Sequence, residues 1–171
     1  MSEAFKLATV SSAGSPRFVA LVLDDKSVAL NAVLPHVAAA QRAAIQSDTM
    51  LGLLGAWERS FEVLSEAAAL LKKSGLADKR WADAVAPVSA VRIHAPIARP
   101  PKMFYAAINY PRPDRPPKKD DGIVRRPYMF EKTASCVTGP YDDVVKPKGY
   151  DDIDGEVELG VVIGKRGKNI P

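Results

Sequence analysis

One cysteine, two histidines and no long apolar run set the first limits on this chain of 171 residues. Cys136 stands alone, which excludes an internal disulfide and a zinc site built on cysteines. His36 and His94 have no partner at metal-ligand or catalytic-triad spacing, and both read as structural. No stretch approaches the roughly 18 apolar residues a membrane span needs. Met1-Ser2-Glu3-Ala4-Phe5-Lys6 lacks the basic-then-apolar layout of a secretory signal, so a cytoplasmic location is the expectation. The chain also lacks a G-x-S-x-G elbow, an H-E-x-x-H pair and a Walker loop. Gly164-Lys165-Arg166-Gly167-Lys168 is rich in glycine and lysine, yet its spacing is that of a tight turn. There is no internal repeat.

What is present suits a soluble domain or two small ones, with 47% apolar and 26% charged residues. The net charge of +4 is unevenly spread. Between Arg99 and Arg126 eight basic residues face three acidic ones, whereas between Tyr141 and Glu158 seven acidic residues face two basic ones. A basic loop followed by an acidic stretch suits a small anionic substrate held between a cation and arginine. The same loop also reads as a plain solvated surface. It is broken by prolines and lacks a helix or aromatic interleaving, so nucleic acid is not expected as a partner.

Periodicity supplies the elements. Phe5–Val10 and Arg17–Leu23, separated by Ser11-Ser12-Ala13-Gly14-Ser15-Pro16, predict a hairpin. A short Val28–Leu30 segment follows, then a helix over His36–Gln46. Met50, Leu53, Leu54, Trp57, Phe61, Leu64, Ala68 and Leu71 recur every three or four residues and predict one long helix, started by Asp48 and stopped by Gly75. That stripe is core. Val88–His94 reads as a strand, and a domain boundary is expected near residue 98. Beyond it, Lys102–Ile108, Tyr128–Val137 and Glu156–Ile163 read as strands, with a proline-rich loop over Asn109–Pro127. Cys136, inside the second of these, is expected to be a small buried side chain.

The richest stretch is Asp154-Gly155-Glu156-Val157-Glu158-Leu159-Gly160-Val161-Val162-Ile163-Gly164-Lys165. In a strand, residues two apart share a face, so Glu156 and Glu158 would stand side by side. Paired carboxylates beside a core repel and lose hydration, and a hard divalent cation relieves both penalties. A strand with one wet face shows the same alternation.

The residues around that stretch give it a context. Arg99-Pro100-Pro101-Lys102, Ile108-Asn109-Tyr110, Pro127-Tyr128-Met129-Phe130-Glu131-Lys132-Thr133-Ala134-Ser135, Thr138-Gly139-Pro140, Val144, Pro147 and Asp154–Lys165 with Gly167 come in an order and spacing that resemble the fumarylacetoacetate hydrolase family. The resemblance covers residues 99–171. It implies an α+β protein: a small N-terminal domain of β-hairpin plus helices over 1–98, then an incomplete mixed β-roll over 99–171. It also implies Mg²⁺, Mn²⁺ or Ca²⁺ held by the E-x-E pair and a later aspartate, and hydrolase, isomerase or decarboxylase chemistry on 2-oxo or 1,3-dioxo carboxylic acids. By match to the motif, Glu156 and Glu158 become metal ligands, and Lys132 a contact for the substrate carboxylate or enolate.

Two departures qualify that expectation. Many members carry a histidine and a glutamate soon after Asn-Tyr to activate water. Here Asn109-Tyr110 continues Pro111-Arg112-Pro113-Asp114-Arg115-Pro116. Proline cannot act as a base, which tells against water-dependent C–C cleavage unless Asp114 or a water takes that part. Arg112 and Arg115 instead suit clamping of a carboxylate. Second, the chain stops at Pro171, before the later aspartate, so it reads as the N-terminal part of a family member. The alternative is an inactive fragment serving as a subunit or interaction domain. In either case association into a homo-oligomer is expected, with no membrane partner.

Overall fold

The computed structural model describes residues 5–42, 44–107 and 128–170. The chain divides into two compact units, Met1–Ile97 together with Thr138–Pro171, and Ala98–Val137. Both mix antiparallel strands with helices or 3₁₀ turns, and no described helix is long and apolar enough to cross a membrane.

The first unit is built on a sheet ordered β4-β3-β2-β1-β5. The predicted hairpin is there: β1 (Lys6–Ser11) pairs antiparallel with β2 (Phe18–Leu23), Ala8 opposite Ala20. Gly14, at φ +75, sits in the connecting loop where a side chain would be strained. β3 (Lys26–Ala29) returns along β2 after the turn at Asp24-Asp25, with Leu21 opposite Val28. Leu21 and Val28 are fully buried, and alternation places one face of the sheet in the core.

The strand expected over Val88–His94 is two strands. β4 (Val85–Pro87) joins β3 at one edge, and β5 (Arg92–His94) joins β1 at the other, with a 3₁₀ turn over Val88–Ala90 between them. A flat sheet of that width would be about 19 Å across, at roughly 4.8 Å per strand pair. A five-step link spans at most about 18 Å, and less through a 3₁₀ turn. The sheet therefore has to curl so that its edge strands approach. The Val88 amide, donating to the Asp25 carbonyl at 2.8 Å, fixes where the link leaves the edge.

Helices cover the curled sheet, in more pieces than periodicity suggests. α1 (Leu30–Val33) and a 3₁₀ turn (Leu34–His36) precede α2 (Ala38–Arg42), where one helix over His36–Gln46 was expected. The extended Val37 separates His36 from α2 and interrupts it. The long amphipathic helix is likewise divided at Ala56 into α3 (Met50–Gly55) and α4 (Trp57–Ser74). Its cap is Thr49 rather than Asp48: the Thr49 hydroxyl accepts from the Gly52 amide at 3.0 Å, three positions on, and Asp48 stands one residue too early. Gly75 ends α4 as expected, at φ +80, its amide donating to the Leu71 carbonyl. The stripe packs as predicted except at Phe61, which is exposed. Leu53, Leu64, Ala68 and Leu71 are buried, and Leu53, Leu64 and Leu71 join Leu21, Leu30, Val33 and Trp81 in one cluster. Each fully buried leucine contributes about 1.5–3 kcal/mol. Phe61 is at the rim, its ring 5.6 Å from both Phe5 and Trp57.

The second unit holds β6 (Phe104–Ala107) and β7 (Tyr128–Glu131), antiparallel, with Tyr105 opposite Phe130. The strand expected over Tyr128–Val137 is only its first four residues. A 3₁₀ turn over Ala134–Cys136 follows, and Cys136 is exposed rather than buried, its Sγ 3.4 Å from the Thr133 hydroxyl. No regular structure forms over Asp151–Gly164, so the strand expected at Glu156–Ile163 is absent. Alternation describes the faces of a strand, but hydrogen bonds to a neighbour make one, and no described strand pairs with this run.

Candidate active site

One candidate group, a positively charged one, is built on the β6–β7 hairpin of the second unit. Phe130 faces Tyr105 across the ladder, and their rings stack at 5.5 Å with 27° between planes. Lys132 lies two residues beyond Phe130, so strand alternation gives it the same face. Its amide donates to the Met103 carbonyl at 3.2 Å, carrying the pairing one step past β7. The side chain then folds back diagonally, placing Nζ 4.4 Å from the centre of the Tyr105 ring. A cation over an aromatic face is attracted by the ring quadrupole. Lys132 is exposed and charged, available to an anion. Arg112 and Arg115, the expected carboxylate clamps, lie outside the described residues.

A separate acidic candidate lies in the first unit. Glu156 and Glu158 are both exposed, within an irregular run whose Val157, Leu159, Val161 and Ile163 are exposed as well. The run is fastened at its end: Lys165 pairs with Glu58 of α4 at 3.0 Å, and Gly164 lies against the Trp57 ring, where an added Cβ would come within 3.3 Å. That ion pair is exposed on both sides and contributes little by itself. Two neighbouring carboxylates are the right donor chemistry for Mg²⁺, Mn²⁺ or Ca²⁺. Among the described residues, however, no three His, Cys, Asp or Glu side chains gather to enclose a cation. The fit is thus one of ligand type alone.

A third polar cluster was missed by sequence reasoning. Arg92 on β5 pairs with Asp142 at 2.8 Å, and the other Asp142 oxygen accepts from the Gly139 amide at 2.7 Å. The Arg92 hydrogen bond, then the Gly139 amide, hold the Asp142 carboxyl below its ordinary range. One residue pair away, buried His94 shares a hydrogen bond with the Ser11 hydroxyl at 2.8 Å. Burial first, then Arg17 and Arg92, push its imidazole pKa down, and Asp142 opposes them. His94 is thus buried and hydrogen-bonded between β5 and β1, the setting expected of a structural histidine. Asp142 carried no local signal, because its partner is fifty positions away.

Comparison with known proteins extends this picture. Residues 102–171 match the family model for fumarylacetoacetate (FAA) hydrolase, C-terminal. The chain is 43% identical over 86 residues to fumarylacetoacetate hydrolase domain-containing protein 2 of Pongo abelii, a segment that is 50% of this chain and 27% of that protein. Identity and coverage are the same for the protein named oxaloacetate tautomerase FAHD2A, mitochondrial, of Homo sapiens. Oxaloacetate tautomerase fahd2, mitochondrial, of Xenopus laevis is 33% identical over 112 residues, 66% of this chain and 34% of the relative. The chain thus spans about a quarter to a third of these relatives' length.

Proposed function

Because residues 102–171 of this chain belong to the fumarylacetoacetate hydrolase family, we propose that it acts in the metal-dependent isomerisation of 2-oxo carboxylic acids, with keto–enol tautomerisation of an oxaloacetate-like acid as the reaction. The observation that carries this reading is the family match over a segment containing Glu156 and Glu158, together with relatives named as oxaloacetate tautomerases. In the proposal residues 99–171 contribute to a mixed β-roll, and Glu156 and Glu158 hold Mg²⁺ or a similar ion. Such an ion supplies Lewis-acid polarisation of the keto oxygen. Lys132 meets the substrate carboxylate or the developing enolate oxygen, where a fixed positive charge favours the enolate over the ketone. Arg112 and Arg115 orient the second carboxylate of a diacid.

Tautomerisation is preferred to hydrolysis on chemical grounds. Moving a proton from the carbon beside the carbonyl to the oxygen consumes no water. Hydrolytic C–C cleavage needs a base that activates water, and the residues after Asn109-Tyr110 are Pro111-Arg112-Pro113. A second reading has its own observation: both glutamates, Val157 between them, and Leu159, Val161 and Ile163 after them are exposed. On that reading the chain is an inactive subunit that associates with a second copy or another protein.

A thermal melt with and without millimolar Mn²⁺, on the parent and on Glu156→Ala, separates the two. A ligand that binds only the folded state stabilises it by about 2.7 kcal/mol at a hundredfold excess over its Kd. The enzyme reading expects a rise in Tm in the parent that Glu156→Ala abolishes. Equal, unshifted melts would favour the subunit reading.

A further inference from the structure

The geometry points to Tyr105 as a positioning residue that holds the Lys132 ammonium for an anionic oxo acid. The inference rests on the proposed role of Lys132, and goes beyond it by naming what aims that side chain. Lysine is a flexible four-carbon stem carrying a point charge, and an exposed one samples many rotamers. Lys132 is exposed, yet its Nζ is found 4.4 Å over the Tyr105 ring. Three features of the hairpin bring this about. The register sets Tyr105 directly opposite Phe130. The stack on Phe130 at 5.5 Å fixes the tilt of the Tyr105 ring. The hydrogen bond from the Lys132 amide to the Met103 carbonyl keeps Lys132 in the ladder, so it becomes the diagonal neighbour of Tyr105, a separation that long and aromatic side chains span. Tyr105 itself is half-buried, anchored at its base and open to the lysine on its face.

The face of the ring attracts the cation without forming a hydrogen bond to it, so all three ammonium donors remain free for carboxylate oxygens. A carboxylate in place of Tyr105 would neutralise the charge. An aliphatic residue would leave the lysine unrestrained.

The test is a double-mutant cycle on the full chain: the parent, Tyr105→Leu, Lys132→Ala and the double variant, with Tyr105→Phe as the conservative control. Pyruvate, a small stable 2-oxo acid, is titrated at constant Mn²⁺. In parallel, the ε-methylene protons of ¹³C-labelled Lys132 report the ring by their upfield displacement. Tyr105→Leu is expected to weaken pyruvate binding about two- to fivefold, the range of an exposed cation–ring contact, and to abolish the displacement. Tyr105→Phe keeps both. In the Lys132→Ala background Tyr105→Leu has no further effect. An equal loss in both backgrounds, or unchanged binding in Tyr105→Leu while Lys132→Ala weakens it, overturns the role of Tyr105 and leaves that of Lys132 standing. Unchanged binding in Lys132→Ala overturns both.

Discussion

Replacing Glu66 by alanine should destabilise the first unit by about 2 kcal/mol, although the residue lies far from the candidate site. α2 has five residues, and its first amides have no intrahelical acceptor. Glu66, reaching across from α4, supplies both missing acceptors: one oxygen receives the Ala38 amide at 2.8 Å and the other the Ala39 amide at 3.0 Å. A hydrogen bond to a charged group contributes about 1.5–3 kcal/mol when well shielded. Glu66 is only half-buried, so solvent screening lowers each bond below that range, to about 1 kcal/mol. Glutamate, glutamine and alanine are all good helix formers, so propensity changes little. Glu66→Gln retains one acceptor oxygen and should cost about half as much, roughly 1 kcal/mol. Urea unfolding followed by circular dichroism measures both. With a slope near 2 kcal/mol per molar, Glu66→Ala lowers the midpoint by roughly 1 M. A midpoint within about 0.2 M of the parent, or a Gln variant as unstable as the Ala variant, would refute the two-acceptor account.

Gly52→Ala should destabilise despite alanine's better helix propensity, which favours it by about 1 kcal/mol. An added Cβ would lie 2.7 Å from the Gln46 backbone carbonyl, a contact that only backbone movement relieves, and a lowered melting temperature checks this. Leu64→Ala, at a fully buried position, should cost about 2–5 kcal/mol in chemical denaturation. His94 makes stability depend on pH. Its folded pKa lies below the ordinary 6.5, so the unfolded chain takes up the proton first as pH falls. Stability is therefore fully present above about pH 6.5 and declines as the pH drops through the folded value. Melting curves across that window should show the decline in the parent and a flatter profile in His94→Asn.

Features set by neighbouring residues were legible in the sequence. The β1–β2 hairpin follows from alternation either side of a Ser-Gly-Pro turn, and the buried face of α3 and α4 from the Met50-to-Leu71 stripe. Gly75 marks the helix end because it alone tolerates φ +80 there at no steric penalty. What periodicity missed depends on partners distant in sequence. The split of Val88–His94 between two sheet edges follows from the curl of the whole sheet. Glu66 as a cap for α2 and Asp142 as the partner of Arg92 carry no local signature. The Glu156–Ile163 run shows the converse error: its alternation is that of a strand, and without a pairing neighbour among the described residues it forms none. For the site, the motif named Glu156, Glu158 and Lys132, whereas the ring that restrains Lys132 emerges only from the β6–β7 register.

The central claim concerns metal-assisted enolisation, and direct observation of keto–enol exchange tests it. Ketonisation of enol-oxaloacetate would be followed by its ultraviolet absorbance, in Mg²⁺ or Mn²⁺, with the parent chain, with Glu156→Ala and with chelator added. The account predicts a protein-dependent acceleration that the chelator and Glu156→Ala each remove. A rate equal to that of the buffer and metal alone, or an acceleration that survives both treatments, would contradict it.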